Sequence, residues 1–380
     1  NDTPFPLLYD PLPVGLKLPR GRDQFKFNDI KTSLPEDIEA CAFMTIPQLA
    51  HLIRTRQVTS EDLTRMYIER LKRYKDELQC VVTITEKLAI KQAKKVDIEI
   101  ARGQYKGLLH GIPWGAKDLL SVPGYKTTWG ATPFKDQIIK NKGTVVKKLE
   151  DAGAVLVAKL TLGALAWGDV WFGGKTKNPW NTQQGSSGSS AGPGSATSAG
   201  LIGFSIGSET WGSIVSPATR NGVTGLRPSF GTVSRSGAMA LSWSMDKLGP
   251  MTRSVEGAAI IFETIRGTDN LDRTVRDVPF IYPSKRGLKN LRIGYVESAF
   301  TDSSVSKNDK ASLDILKSMG LNLIPIELPE FPTQALSFVL QAEAAAAFDE
   351  LTRSNNDDQL VRQGKNAWPN VFREARFIPA

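Results

Sequence analysis

A chain of 380 residues with 41% hydrophobic and 23% charged side chains has an ordinary globular composition, which excludes disordered and fibrous classes and provides for one large core or two smaller ones. The net charge of +9 could mark a polyanionic partner, but the basic residues (Lys72, Arg73, Lys75; Lys87, Lys91, Lys94, Lys95) stand among acidic neighbours on predicted helices, so they read as solvated faces and no nucleic acid is expected. No apolar run reaches the roughly 18 residues of a membrane span and no signal-peptide pattern opens the chain, so no membrane is expected either.

Residues 1–44, rich in Pro and mixed charge, read as an N-terminal arm, and a domain is expected from Thr45 to the last residue. The start at Asn1 rather than Met leaves two compartments open, the cytoplasm or export after removal of a leader. Two helices follow, one with Ile46, Leu49, Leu52 and Ile53 on a face and Thr45 as cap, the next with Glu61 and Asp62 in its first turn and Lys72, Arg73 and Lys75 in its last. CVVTIT from Cys80 reads as a strand, and a long helix should run from about Lys87 to Ala101 and stop at Gly103. Lys117 is expected at the end of a strand, before a Val-Pro-Gly turn, where α/β folds place chemistry. Residues 143–159 predict a helix, a glycine stop and a buried strand. Ser254 should cap a helix, LRIGYV and LNLIPIEL should be strands around a helix near Lys310 to Ser318, and ALSFVLQAEAAAAFDELT should be one strong helix. The alternation predicts an α/β fold, a large mixed β-sheet covered by helices on both faces.

Between these elements lie residues 185–213, GSSGSSAGPGSATSAGLIGFSIGSETWGS. Gly/Ser-rich sequence is usually linker, but a linker has no reason to run into the strand-like LIGFSIG, so loop, short helix, strand and second loop is the better reading. Within it G-x-S-x-G occurs at Gly188 to Gly192 and at Gly203 to Gly207. A nucleophile elbow would need a later His, and none follows His110. S-x-x-K at Ser244 to Lys247 and Ser304 to Lys307 lacks companion motifs, and there is no P-loop. With only His51 and His110, and no Cys-x-x-Cys or His-Glu-x-x-His, no metal site is expected. What remains is a serine served by a lysine that burial has made neutral. Ile112, Trp114, Leu119 and Leu120 around Lys117 would permit this, although position alone favours a salt-bridged or surface lysine.

GIPWGAKD, NPWN, GSSAGPGSATSAGL, GSETWGSIVSPA, GVTGLRPSFGTVS and DKLGPMTRSVEGA occur in this order, and together they resemble the amidase signature family of amide hydrolases. The spacing of Ser189 and Ser213 matches that of the family's two catalytic serines. The resemblance runs from about Thr45 to the last residue, and the family's domain usually continues further, so a C-terminal part is expected to be missing. It implies Ser213 as nucleophile, Ser189 as a bridging serine preceded by a cis peptide bond from Gly188, and Lys117 as neutral base. It also implies an oxyanion hole of backbone N–H groups from Thr210, Trp211, Gly212 and Ser213, and no metal or cofactor. Ala166, Trp167, Gly168 and Ser190 are the expected substrate-binding residues.

Two departures from the family pattern bear on substrate. Trp211-Gly212-Ser213-Ile214-Val215 stands where the family usually has Gly-Gly-Ser-Ile-Arg, and Glu209 where it usually has Asp. Loss of the arginine and the bulk of Trp211 point to an apolar or aryl amide, with esters or carbamates as further substrates of the same acyl-enzyme logic. A small-molecule amide is therefore the expected partner, and a homodimer is compatible with it. The alternative is the amidase-like A subunit of a tRNA-dependent amidotransferase, which hydrolyses glutamine. A non-catalytic protein that keeps the fold is disfavoured by the intact Lys117, Ser189 and Ser213.

Overall fold

The computed structural model describes residues 24–27, 30–282, 291–301 and 307–378, so most of the expected N-terminal arm lies outside the described residues. They form two compact units, one of residues 30–279 and 339–378 and a smaller one of residues 24–27, 280–282, 291–301 and 307–338. In the smaller unit Ile293–Val296 and Leu323–Ile326 pair in parallel, with the helix Lys307–Ser318 between them in sequence. Gln24–Phe25 pairs in parallel with Ile281–Tyr282.

The larger unit is built on a six-stranded sheet. Its strands are β1 (Val81–Ile84), β2 (Pro113–Lys117), β3 (Val155–Leu160), β4 (Phe204–Glu209), β5 (Thr224–Gly225) and β6 (Lys247–Thr252), in the spatial order β5-β6-β4-β2-β3-β1. The three central strands β4, β2 and β3 are parallel, and the pairings outside them are antiparallel. This is the mixed α/β architecture expected. Every residue of β2, β3 and β4 is buried, as central strands covered on both faces must be. Trp114 of β2 stacks on Phe204 of β4 with ring centroids 5.9 Å apart.

The helices begin where their caps dictate. Helix α1 (Ile46–Arg54) starts after Thr45, whose N–H donates to the Gln48 side chain at 2.8 Å. Helix α2 (Ser60–Leu78) starts after Thr59, whose hydroxyl accepts from the Asp62 N–H. Helices α3 (Glu86–Ala101) and α4 (Thr144–Asp151) follow, the latter leading through Gly153 into β3. The glycine-rich stretch supplies α5 (Ala191–Ser198) and β4 and leads into α6 (Val215–Asn221); Ser254 caps α7 (Val255–Ile265) by accepting from the Gly257 N–H. Two boundaries differ from expectation. The strand starts at Phe204 rather than Leu201, because Leu201 and Ile202 turn into the core beside Leu71 and Val155 before the ladder begins. The helix expected without a break from Ala335 ends at Ala347 and resumes at Asp349–Arg353, since Phe348 is buried and stacks on Phe372 at 5.5 Å.

Several surface lysines and arginines of α2 and α3 pair with acids, as in Lys72 with Glu69 and Glu86, Arg73 with Glu39, and Lys94 with Glu61. Inside the sheet the accounting is different. Lys159 of β3 is buried with Asp118 at 2.6 Å, and it also donates to the Lys126 carbonyl at 2.9 Å and to Thr127 Oγ1 at 3.0 Å. The second carboxylate oxygen of Asp118 accepts from the N–H and hydroxyl of Thr128. Removing one partner strands the other charge in the core. Asp118→Ala is therefore expected to lower the unfolding free energy by about 3 to 5 kcal/mol in denaturant titrations, and the double variant Asp118→Leu/Lys159→Met to recover much of that loss. A single variant as stable as the parent would refute a structural role for the pair.

Candidate active site

The carboxyl ends of the parallel strands meet the glycine-rich loops, which is where open α/β sheets leave a crevice. Lys117 is the last residue of β2 and is completely buried. Its Nζ donates to Ser189 Oγ at 2.8 Å, Ser190 Oγ at 3.0 Å, Ser208 Oγ at 2.8 Å and the Ser208 carbonyl at 3.3 Å. These partners are all neutral. Burial holds the amine well below its ordinary value of 10.5, and the carboxylates of Asp246 and Glu209 pull the other way without reversing it. A buried lysine whose charged form is disfavoured in this way is suited to accept a proton.

Ser189 follows a cis peptide bond from Gly188. Gly188 sits directly against the backbone of Gly168: a Cβ at position 188 would lie 2.0 Å from the Gly168 carbonyl oxygen, so only glycine allows the approach. That contact brings Ala166, Trp167 and Gly168 to the same place, on a turn in which Leu165 and Ala166 both have positive φ. Ser190 is fully engaged. Its hydroxyl donates to the Ser208 carbonyl at 2.9 Å and accepts from the Ser208 N–H and from Lys117, so it ties the loop to β4 and positions the amine.

The far end of the stretch folds back on the near end, since the Ser190 N–H donates to the Ser213 carbonyl at 3.0 Å. Ser213 is buried, with 9% of its surface exposed, and follows Gly212, whose φ of +84° favours glycine. The turn is clamped from both sides. Glu209 Oε2 accepts from the N–H groups of Ile214 at 2.8 Å and Val215 at 3.0 Å, and Thr210 Oγ1 donates to Asp246 Oδ1 at 2.5 Å. Among the described residues no acceptor takes the backbone N–H of Thr210, Trp211, Gly212 or Ser213. Four donors on one tight turn, unspent among the described residues, are a ready site for a negatively charged oxygen. Trp211 and Val215 leave 48% and 43% of their surfaces exposed beside it.

Sequence reasoning did not single out Ser208 or Asp246. Both fall inside motifs quoted for the resemblance, but their roles depend on strand order. Ser208 meets Lys117 because β4 lies beside β2, and Asp246 reaches Thr210 because the antiparallel β6 begins where β4 ends, Lys247 opposite Glu209. Burial raises the Asp246 carboxyl above its ordinary value, while the bonds from Thr210, Leu241 and Ser242 oppose the rise. His110 stands apart: it is buried, with its ring nitrogens bonded to Glu99 and to the Lys106 N–H. The described residues contain no group of three or more His, Cys, Asp or Glu able to hold a metal ion, and no helix among them is long and apolar enough to cross a membrane.

A family model described as Amidase matches residues 62–376. The A subunit of the glutamyl-tRNA(Gln) amidotransferase of Thermoanaerobacter pseudethanolicus is 34% identical over 314 residues, covering 80% of this chain and 64% of the relative. The chain thus spans less than two thirds of that protein's length. Among solved structures, the peptide amidase of Stenotrophomonas maltophilia superposes with a TM-score of 0.77 at 27% identity, over 90% of this chain and 77% of the other. The A subunit of the Thermotoga maritima glutamyl-tRNA(Gln) amidotransferase superposes with a TM-score of 0.71 at 26% identity, over 86% and 72%. These relatives correct one expectation. A chain so similar to subunits named for a tRNA amidotransferase cannot be set apart from nucleic acid on its surface charge, because acid-paired helix faces describe only this chain and not what an assembly handles.

The depressed Lys117 pKa has a thermodynamic consequence. The unfolded chain binds a proton at Lys117 up to about its ordinary 10.5, whereas the folded chain has already released it, so stability should rise with pH between the two values. Urea midpoints measured from neutral to alkaline pH should therefore climb more steeply for the parent than for Lys117→Met. Parallel curves would mean that the amine is not held neutral.

Proposed function

The chain belongs to the amidase family, and on that premise we propose that it hydrolyses a carboxylic amide through an acyl-enzyme on Ser213, with Ser189 as proton relay and Lys117 as base. The observation that carries this reading is the buried, uncompensated amine of Lys117 donating to Ser189 Oγ at 2.8 Å. As a free amine, Lys117 takes the proton of Ser189, which takes that of Ser213, and Ser213 Oγ attacks the amide carbon. The N–H groups of Thr210, Trp211, Gly212 and Ser213 receive the developing oxyanion, each such donor contributing about 3 kcal/mol. As the C–N bond breaks, the proton returns through Ser189 to the departing nitrogen. Water then enters by the same relay, adds to the acyl carbon and frees Ser213. Glu209 and Asp246 position the turn rather than touch the reacting atoms.

The relatives support glutamine as the amide and a place as the amidase-like component of a tRNA-dependent amidotransferase, with ammonia passed on to an aminoacyl-tRNA. A second reading, a free-standing amidase for apolar or aryl amides, esters or carbamates, is supported by the apolar lip of Trp211 and Val215 at the nucleophile's turn. A kinetic panel of glutamine, 3-phenylpropanamide, an anilide, an ester and a carbamate tests both. Ser213→Ala should lower kcat on every substrate turned over by at least about a thousandfold, and activity near the parent's would overturn the assignment. Glutamine ahead of the arylalkyl amide favours the amidotransferase reading, and the reverse order favours the free-standing one.

A further inference from the structure

Beside the loop that carries Trp167 and Gly168 lies a cavity of about 430 Å3 that the scheme above does not use. Its walls come from two distant parts of the chain, Ala164 and Trp167 on one side and Leu360 with residues 362–368 on the other. The two are fastened together. Trp368 Nε1 donates to the Leu165 carbonyl at 3.0 Å, and the rings of Trp167 and Trp368 meet edge to face with centroids 4.7 Å apart.

Two cations line this cavity, Arg362 and Lys365, and no lining residue is acidic. Among the described residues neither finds an ion-pair or hydrogen-bond partner, whereas the cations of α2 and α3 named above stand beside acids. Arg362 also reaches the loop that packs against the residue before Ser189. A Cβ at Gly168 would lie 3.2 Å from Arg362 Nη1, and the Gly168 carbonyl abuts Gly188, the residue before Ser189. An unspent guanidinium, separated from the relay serine by Gly168 and Gly188 and sharing its cavity with two indole side chains, matches a planar anion attached to an apolar body.

We propose that this cavity is a substrate subsite that takes a carboxylate carried at the far end of the amide substrate, with Arg362 as the group that binds it and Trp167 and Trp368 as the walls for the segment between. The inference rests on the amide-hydrolase reading for the position of the scissile bond. It does not depend on which amide is cleaved, because a benzoate and the α-carboxylate of glutamine present the same planar anion.

Calorimetric titration of the full chain in the Ser213→Ala background, which prevents turnover, tests it with three probes: 3-phenylpropanamide, the same amide bearing a para-carboxylate, and glutamine. The carboxylate-bearing arylamide should bind at least tenfold more tightly than the neutral one if the anion is aryl-borne. Adding Arg362→Gln should weaken a carboxylate probe at least tenfold, with Arg362→Lys recovering part of the loss and the neutral amide unaffected. Loss confined to the arylcarboxylate identifies an aryl acid, and loss confined to glutamine an amino-acid carboxylate. The proposal is overturned if neither carboxylate probe binds, if neither responds to Arg362→Gln, or if the neutral amide weakens equally. Arg362 is exposed, so the variant should fold as the parent does. Substantial amide turnover by Ser213→Ala would instead sink the nucleophile assignment and leave the binding comparison between arginine and glutamine standing.

Discussion

An amine buried without a counter-ion in contact is the constraint on which the rest of this site depends. Lys117 leaves β2 with nowhere to reach water, and two separate pieces of chain supply its oxygens: the loop before α5 through Ser189 and Ser190, and β4 through Ser208. The neighbouring strand shows the other solution to the same problem. Lys159 on β3 is equally buried but has Asp118 at 2.6 Å, and burial lowers its pKa against the opposing pull of that carboxylate. Two lysines on paired strands thus have different electrostatic assignments, one compensated and structural, the other surrounded by hydroxyls that leave its proton easy to lose.

The glycine-rich stretch is the device that makes this arrangement possible. Its composition permits a backbone contact at Gly188 and a left-handed turn at Gly212, and between them α5 and β4 return the chain so that Ser190 and Ser213 share a hydrogen bond. Glu209 and Asp246 hold the returning turn, one through the N–H groups that open α6 and the other through Thr210. What resembles a linker by composition is therefore a densely hydrogen-bonded part of the protein. The apolar character of Trp211 and Val215 and the cationic character of Arg362 and Lys365 describe two different surfaces around it. A substrate with an apolar body and a distant carboxylate would satisfy both.

Local signals made much of this readable before any coordinates. The helix start before Glu61 and Asp62, the cap at Ser254, the β-branched run after Cys80 and the short strand ending at Lys117 are consequences of near-neighbour chemistry, and the structure has them where the residues place them. The juxtaposition of Lys117 with Ser189 was readable only through the resemblance, since nothing local joins residues so far apart in sequence. What escaped depends on tertiary order. Ser208 matters because β4 lies beside β2, Asp246 because β6 runs antiparallel from that end, and Trp368 because it reaches back to Leu165. The break at Phe348 escaped for a related reason: an alanine-rich run favours continued helix, and only the stacking partner Phe372 interrupts it. Surface charge was the weakest guide, because acid-paired helices carry no information about an assembly.

The central claim, a serine acylated with help from a neutral lysine, is tested most directly by trapping the intermediate. Intact-protein and peptide mass spectrometry of acid-quenched reactions with a slowly deacylating ester should find one acyl group on the peptide containing Ser213, formed quickly by the parent and scarcely at all by Lys117→Met. An adduct on another residue, or acylation of Ser213 at the parental rate without Lys117, would contradict the account.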